Sequence, residues 1–140
     1  MADEEKKAIK VLLVDDEEHF RERLSLQLSV RGYTVFNAGD GLCAIEIVEK
    51  ENPDVVVLDH KMPGMDGMQT FKEIRKLRPL AEVIMLTGHA TANTALEAMK
   101  LGAFDYIMKP VDLEELILKL EDAGKKRAIR EKYLQEKWKK

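Results

Sequence analysis

Four short apolar runs of this 140-residue chain end directly at polar residues that could take part in chemistry. In chain order, the residues that follow the runs are Asp15 with Asp16, Asp59, Thr87 and Lys109. If the runs are parallel strands of one sheet, their carboxyl ends bring three carboxylates, a hydroxyl and an ammonium to one edge. That set of groups suits a metal-dependent transfer of a phosphoryl group to an aspartate.

The three carboxylates are the most demanding part of this site. Neighbouring carboxylates repel by roughly 4 kcal/mol per pair at about 4 Å and an effective dielectric near 20. A small, hard dication relieves the repulsion, and Mg²⁺ uses one or two carboxylates together with water and phosphate oxygens. A structural alternative exists for Asp15 and Asp16, which could cap a helix that begins after them. The position of Asp59 at the end of a second run favours the metal site.

Asp59 is the best candidate nucleophile, because it ends the most central apolar run, 55–58, and opens a loop rather than a helix. A carboxylate can attack phosphorus to form an aspartyl phosphate, and it needs no general base. The remaining requirement is to stabilise charge on the transferred phosphoryl oxygens. Lys109 offers an ammonium and Thr87 a hydroxyl donor for this purpose.

Composition limits the class of protein. The length fits one domain, and 45% hydrophobic and 35% charged residues are typical of a folded globular chain. The net charge of −3 is uneven, since residues 121–140 carry +4 and the first 120 residues −7. An acidic body argues against direct nucleic-acid binding, which needs clustered cations. A single cysteine, Cys43, and the lack of a signal sequence or a membrane-length apolar run predict a cytoplasmic protein.

The elements that must position these residues follow an α/β pattern. Continuous apolar runs without alternation indicate a parallel sheet covered by helices on both faces. Strands are predicted at 10–14, 33–37, 54–58, 82–86 and 106–108. Helices are predicted at 17–31, 41–50, 68–77, 91–101 and 113 to about 122. Phe20, Leu24, Leu26 and Leu28 are expected on the apolar stripe of the first helix.

The segment after residue 122 has a different character, with many basic and few apolar residues. Ile129 with Tyr133, and Leu134 with Trp138, have the four-residue spacing of pairs along a helix. The segment is expected to be a solvated helical extension, with a linker or a chain-pairing helix as the alternatives.

The ordered motifs resemble the receiver domain of two-component response regulators, a CheY-like domain. The resemblance is carried by Asp15-Asp16, Asp59 with Met62-Pro63-Gly64-Met65-Asp66-Gly67, Thr87-Gly88, Gly102-Ala103-Phe104-Asp105-Tyr106, and Lys109-Pro110. It implies a flavodoxin-like, doubly wound, five-stranded parallel sheet of order 2-1-3-4-5 with five helices. It also implies a charged segment at 1–9, a receiver at 10–122 and a basic helical tail or linker at 123–140. The segments 87–90 and 98–106 further resemble receivers of NtrC-type, ATPase-containing transcriptional activators.

The resemblance implies roles for individual residues. Asp59 would accept phosphate from a phosphohistidine of a sensor histidine kinase, from a phosphotransfer protein or from a small phosphodonor. Asp15, Asp16 and Asp59 with the backbone carbonyl of Lys61 would hold Mg²⁺, Asp16 most directly. Thr87 and Lys109 would contact the phosphoryl group.

The resemblance also implies how the signal would be switched and read out. The Lys109-Pro110 bond would be cis. Tyr106 would turn inward after Thr87 moves. Lys61 and His89 would tune the lifetime of the phosphorylated state. Output domains or a second copy would bind the face formed by the fourth helix, fifth strand and fifth helix, or the tail.

Three alternatives to a phosphorylated receiver fit the sequence less well. A phosphohydrolase of the haloacid dehalogenase kind needs an acid two places after its nucleophile, where Lys61 stands, and a cap domain that the length does not allow. A pseudo-receiver without chemistry would usually lack an acid, the acceptor or the lysine, all of which are present. A nucleotide-binding fold needs a glycine-rich loop where Asp15 and Asp16 would instead repel a pyrophosphate. The expected protein is therefore a signalling switch rather than an enzyme acting on other substrates.

Overall fold

The computed structural model describes residues 8–62, 64–88 and 92–138. Five strands and five helices alternate along the chain. The strands are β1 (Lys10–Val14), β2 (Thr34–Ala38), β3 (Val55–Asp59), β4 (Glu82–Thr87) and β5 (Asp105–Met108). The helices are α1 (Glu18–Val30), α2 (Gly41–Glu51), α3 (Gly67–Leu77), α4 (Ala92–Lys100) and α5 (Leu113–Trp138).

The strands form one sheet in the order β2-β1-β3-β4-β5, and every neighbouring pair is parallel. β1 has β2 on one side and β3 on the other, so the order of the strands changes direction at β1. The carboxyl ends of β1 and β3 therefore lie beside each other at this reversal, where doubly wound folds bind their ligands. The predicted doubly wound fold and its strand order are confirmed.

Successive side chains of the central strands point to opposite faces of the sheet and so contribute to two separate hydrophobic cores. Leu12 and Val14 of β1 face a core shared with α2 and α3, while Val11 and Leu13 face a core shared with α1 and α5. Strands β3 and β4 are buried along their whole length. The continuous apolar runs in the sequence are explained by this burial on both faces.

Most of the described elements begin or end about one residue from the predicted limits, and some features differ further. β2 and β3 each lie one residue further along the chain than predicted, so Asp59 is the last residue of its strand. Leu26 was wrongly placed on the buried stripe of α1, because its side chain is 66% exposed. The predicted start of the fourth helix at Thr91 lies outside the described residues. Helix α5 continues without a break to Trp138, well past the predicted end of the fifth helix near Asp122.

None of the helices within residues 8–62, 64–88 and 92–138 is both long enough and apolar enough to cross a bilayer.

Candidate functional site

The register of the sheet brings the predicted site residues together. Val14 of β1 pairs with Leu58 of β3. The residues that follow them, Asp15 and Asp59, therefore lie side by side at the carboxyl ends of the two strands. Thr87 pairs with Met108, and the amide of Lys109 donates a hydrogen bond to the carbonyl of Thr87 at 2.8 Å. Four segments distant in sequence thus meet at one edge.

Asp15, Asp16 and Asp59 form a compact acidic cluster. One carboxylate oxygen from each lies within 4.8 Å of the others, which is a spacing that could hold a metal ion. Asp15 and Asp59 are buried, at 1% and 5% exposure, and Asp16 is exposed. A buried pair of like charges beside an exposed third carboxylate suits a hard cation that keeps part of its water shell.

The alternative role of the acidic pair as a helix cap is not what the geometry shows. The residue at the N-cap of α1 is Glu17, and its side chain makes no capping hydrogen bond. Asp15 instead accepts a hydrogen bond from the Glu17 amide at 2.9 Å and thereby shapes the turn between β1 and α1. The carboxylate of Asp16 is left facing the cleft.

Lys109 supplies the positive charge of the cluster. Its Nζ donates a hydrogen bond to Asp15 Oδ2 at 2.8 Å and lies 3.7 Å from Asp59 Oδ1 and 3.9 Å from Glu17 Oε1. The ammonium also lies 4.8 Å from the centre of the Phe20 ring. Burial alone would lower the pKa of Lys109, but the hydrogen bond to Asp15 and the surrounding carboxylates raise it, so the side chain is charged.

Asp59 binds its proton more tightly than an ordinary aspartate does. Burial is the largest cause and the neighbouring Asp15 carboxylate the second, and together they raise the pKa of Asp59 to about 6. The charge of Lys109 and a hydrogen bond from the Lys61 backbone oppose this rise. The ionised form that could act as a nucleophile is therefore destabilised until more positive charge arrives.

A cleft of about 290 Å³ opens over these residues. Its lining comprises Asp16, Glu17, Asp59, His60, Lys61, Thr87, Gly88 and Lys109. The volume is suited to a small polar group, and the lining combines a nucleophile with a hydroxyl and an ammonium. Thr87, only 5% exposed, forms the wall opposite the acidic pair.

Two predicted residues, Asp15 and Tyr106, are not among those that line this cleft. Tyr106 on β5 is 36% exposed. His89 lies outside the described residues. The Lys109-Pro110 peptide bond is cis.

The loop after Asp59 is tied back to the site by α3. Asp66 and Gln69 form a reciprocal capping box at the start of α3, with hydrogen bonds of 2.9 and 3.2 Å. Gly67 follows, and a Cβ atom there would lie 2.4 Å from the carbonyl oxygen of Asp59. Only glycine allows the helix to start this close to the candidate nucleophile.

The N-cap of α1 and two residues of its first turn contribute without having been predicted as site residues. Glu17 and Phe20 contact Lys109 as described, and Arg21 Nη1 donates a hydrogen bond to the backbone carbonyl of Asp15 at 2.6 Å. Their spacing of three and four residues places them on one side of the helix. That spacing, directly after an acidic pair, is the sequence signal that could have identified them.

Comparison with known protein families agrees with this geometry. The family described as "Response regulator receiver domain" matches residues 11–121. The chain belongs to this family. Receivers of two-component response regulators are signalling switches that are phosphorylated on an aspartate and bind Mg²⁺ at an acidic pocket.

Curated relatives include proteins of two sizes. The receiver is 41% identical over 109 residues to "Regulatory protein AtoC" of Escherichia coli. The aligned region covers 78% of this chain and 24% of AtoC. The receiver is 38% identical over 107 residues to "Sporulation initiation phosphotransferase F" of Bacillus subtilis, covering 76% of this chain and 86% of that protein. The chain thus spans about a quarter of the first relative and most of the second.

Solved structures share the fold over nearly the whole receiver. A response regulator receiver domain from Clostridium thermocellum has a TM-score of 0.82 and 34% identity, covering 86% of this chain and 98% of that one. NtrX from Brucella abortus, in complex with ATP, has a TM-score of 0.84 and 33% identity. That match covers 90% of this chain and 29% of NtrX. The receiver is therefore similar both to isolated receiver domains and to the receiver part of NtrC-type regulators.

Proposed function

We propose that Asp59 is the phosphoryl acceptor of this receiver. The single observation that supports this assignment best is the arrangement of the cleft, in which Asp59 lies at the carboxyl end of a central strand, with a carboxylate oxygen within 4.8 Å of the acidic pair and 3.7 Å from Lys109 Nζ. Asp16 is exposed, and Asp15 is hydrogen-bonded to Lys109 and to the Glu17 amide. Asp59 is the carboxylate that combines burial, an open face toward the cleft and an adjacent cation.

In the proposed reaction a carboxylate oxygen of Asp59 attacks the phosphorus of the donor. The new P–O bond forms as the bond from phosphorus to the donor, a phosphohistidine nitrogen or the oxygen of a small acyl phosphate, breaks. Lys109 shifts its ammonium from the carboxylates toward the phosphoryl oxygens, and Thr87 donates its hydroxyl to one of them. These contacts stabilise the charge on the phosphoryl oxygens in the transition state.

The donor set of the cleft fits Mg²⁺. Asp15, Asp16 and Asp59, with the backbone carbonyl of Lys61, offer only oxygen ligands, which a hard dication prefers. The raised pKa of Asp59 is a second reason, because a dication would favour the ionised carboxylate that burial and the Asp15 charge disfavour. When bound, Mg²⁺ supplies charge neutralisation for the attacking carboxylate and the phosphoryl oxygens.

The response to phosphorylation is proposed to pass through Thr87 and Tyr106. Movement of the Thr87 hydroxyl toward the phosphoryl group leaves space for the exposed Tyr106 ring to turn inward. The face of α4, β5 and α5 would then change its contour, and this face, or the tail of α5, would bind an output domain or a second copy. The similarity to AtoC and NtrX favours an output domain of the NtrC type.

The proposed partner on the input side is a sensor histidine kinase or a phosphotransfer protein, and we expect the exchange to take place in the cytoplasm. The receiver would catalyse only its own phosphorylation and dephosphorylation. We further propose that residues 10–122 form the phosphotransfer unit of the receiver, preceded by a charged segment at 1–9 and followed by a basic helical tail at 123–140.

The test of this function is the mass of the intact protein after incubation with acetyl phosphate. The wild-type receiver should gain the mass of one phosphoryl group with Mg²⁺ and none with excess chelator. Asp59→Asn should gain none in either condition, while Asp122→Asn, an exposed acid of α5, should behave as wild type. A gain that persists in Asp59→Asn would reject Asp59 as the acceptor.

A further inference from the structure

The amino-terminal edge of the sheet, opposite the acidic cleft, contains a second group of buried charges. Glu82 is the first residue of β4, and its side chain is 1% exposed. Arg130 Nη1 of α5 donates a hydrogen bond to Glu82 Oε2 at 3.0 Å, and Lys126 Nζ lies 3.9 Å from Oε1. A carboxylate so completely removed from water requires counter-charge nearby, and both cations come from the basic part of α5.

A second ion pair joins the same helix to the same edge. The side chain of Arg127 is 9% exposed, and its Nη1 lies 3.3 Å from Asp54 Oδ1, next to the start of β3. Arg127 also pairs with Glu131 on its own helix and lies 3.4 Å from Asn52 Oδ1. Asp54 in turn accepts a hydrogen bond from the amide of Lys10, at the start of β1, at 2.8 Å. The contact therefore reaches the first residues of two central strands.

Close packing accompanies these ion pairs. Ala123 is fully buried, and a Cβ atom at Gly124 would lie 2.9 Å from Ile9 Cδ1, so the glycine lets α5 approach the start of β1. One turn earlier, Tyr33 donates a hydrogen bond to Glu121 at 2.6 Å. The helix is thus in contact with the receiver body from residue 121 through residue 130.

We propose that residues 123–131 are a structural part of this receiver, held by a charge latch that consists of Glu82, Asp54, Arg127 and Arg130. The two cations of the latch lie beyond residues 11–121, which match the family, and neither they nor their acidic partners take part in the proposed phosphoryl transfer. It fixes the direction of the last turns of α5 relative to the sheet. Those turns carry the exposed side chains of Tyr133 and Trp138, which the latch holds at a defined place below the sheet.

A double-mutant cycle on the full chain tests the latch. Arg130→Met leaves the buried Glu82 carboxylate short of counter-charge and should lower the folding equilibrium constant by about ten-fold in chemical denaturation. In the Glu82→Gln background the same substitution should cost no more than Lys132→Met, an exposed lysine of the same helix. Equal losses from Arg130→Met in both backgrounds would overturn the proposal.

Hydrogen exchange on the wild-type chain provides a second test, which does not depend on whether a variant folds. Backbone amides 123–131 of the wild-type chain should be protected as strongly as amides 116–122 of the same helix, because both segments are docked. Exchange of residues 123–131 at the rate of an undocked helix, with residues 116–122 still protected, would contradict the latch.

Discussion

The candidate nucleophile of this receiver is placed in an environment that opposes its own ionisation. Asp59 is 5% exposed and shares its edge of the sheet with Asp15, so burial and like charge both raise its pKa. Lys109 offsets only part of this effect. The cost of holding a reactive carboxylate in this position is a loss of folding stability at neutral pH, which a bound cation would restore.

The first prediction at the residue scale concerns this cost. The pKa of Asp59 is about 6 in the folded chain and 3.8 for an ordinary aspartate, so the native state binds the proton more tightly. The stability due to this group is complete below about pH 4 and is lost as the pH rises through about 6. Without divalent cations, the free energy of unfolding of Asp59→Asn relative to wild type should therefore increase by about 1–3 kcal/mol from pH 4 to pH 7.5.

Chemical denaturation at a series of pH values measures this difference. Asp122→Asn serves as the control, since Asp122 is exposed, and its difference from wild type should not change over the same range. A difference between Asp59→Asn and wild type that stays constant with pH would show that Asp59 titrates normally.

Lys109 is the subject of the second prediction. Its ammonium lies near the carboxylates of Asp15 and Asp59, so Lys109→Met leaves both buried carboxylates without the cation that pairs with them. The substitution should cost about 2 kcal/mol of stability in the absence of Mg²⁺. Saturating Mg²⁺ should then raise the denaturation midpoint more in Lys109→Met than in wild type, because the ion replaces the missing charge. Lys72→Met, at an exposed position of α3, is the control, and an equal Mg²⁺ effect in all three proteins would contradict the electrostatic role.

The third prediction addresses the residues at the mouth of the cleft. Lys61 lines the cleft two positions after Asp59, and His89 stands two positions after Thr87 in the sequence. Both are expected to control how attacking water reaches the phosphoryl group. Phosphate release from the phosphorylated protein should therefore change by several-fold or more in Lys61→Ala or His89→Ala. Unchanged decay in both variants, followed by intact mass over time, would remove this role.

The residues predicted from the sequence and those that were missed differ in one physical respect. Asp15, Asp59, Thr87 and Lys109 could be found because each directly follows or ends an apolar strand, so topology alone brings them together. Phe20 and Arg21 could not be found in that way. Their contacts with Lys109 and with the Asp15 carbonyl depend on how α1 is rotated against the sheet, and the apolar pattern defines that rotation only loosely.

At the scale of the elements, the strands were easier to predict than the limits and faces of the helices. Burial on both faces gives β1, β3 and β4 a continuous apolar signal. Leu26 on α1 has the hydrophobicity of a core residue but lies on the solvent side. Hydrophobicity alone does not identify the buried face when an exposed leucine lies beside the stripe.

The fourth prediction concerns the contact between α3 and the strand that ends at Asp59. A Cβ atom at Gly67 would lie 2.4 Å from the Asp59 carbonyl oxygen and 2.8 Å from His60 Cα, and both are backbone atoms that cannot move aside cheaply. Gly67→Ala should therefore destabilise the receiver by about 1–3 kcal/mol in chemical denaturation, and it should slow phosphorylation by displacing Asp59.

Gly88 provides the matched control for this substitution. A Cβ atom there would meet nothing within 4 Å, and Gly88→Ala should change stability by less than about 0.5 kcal/mol. Equal stability of the two alanine variants would show that α3 does not constrain the position of Asp59.

On the scale of the whole molecule, the two edges of the sheet carry opposite kinds of charge arrangement. The carboxyl edge leaves three carboxylates with one principal cation, a state suited to recruiting a metal and a phosphoryl group. The amino edge pairs its buried acid with the basic helix α5. The excess of positive charge after residue 120 was visible in the sequence, but its acidic partners were not, because Glu82 and Asp54 meet the helix only once the chain is folded.

The phosphorylated position is the central claim, and reduction of the acyl phosphate measures it most directly. The wild-type receiver is incubated with acetyl phosphate and Mg²⁺ and then treated with borohydride, which converts an aspartyl phosphate to homoserine. Peptide mass spectrometry then locates the homoserine. The account predicts homoserine at position 59 and nowhere else in the chain; homoserine at position 15, position 16 or any other acid would contradict it.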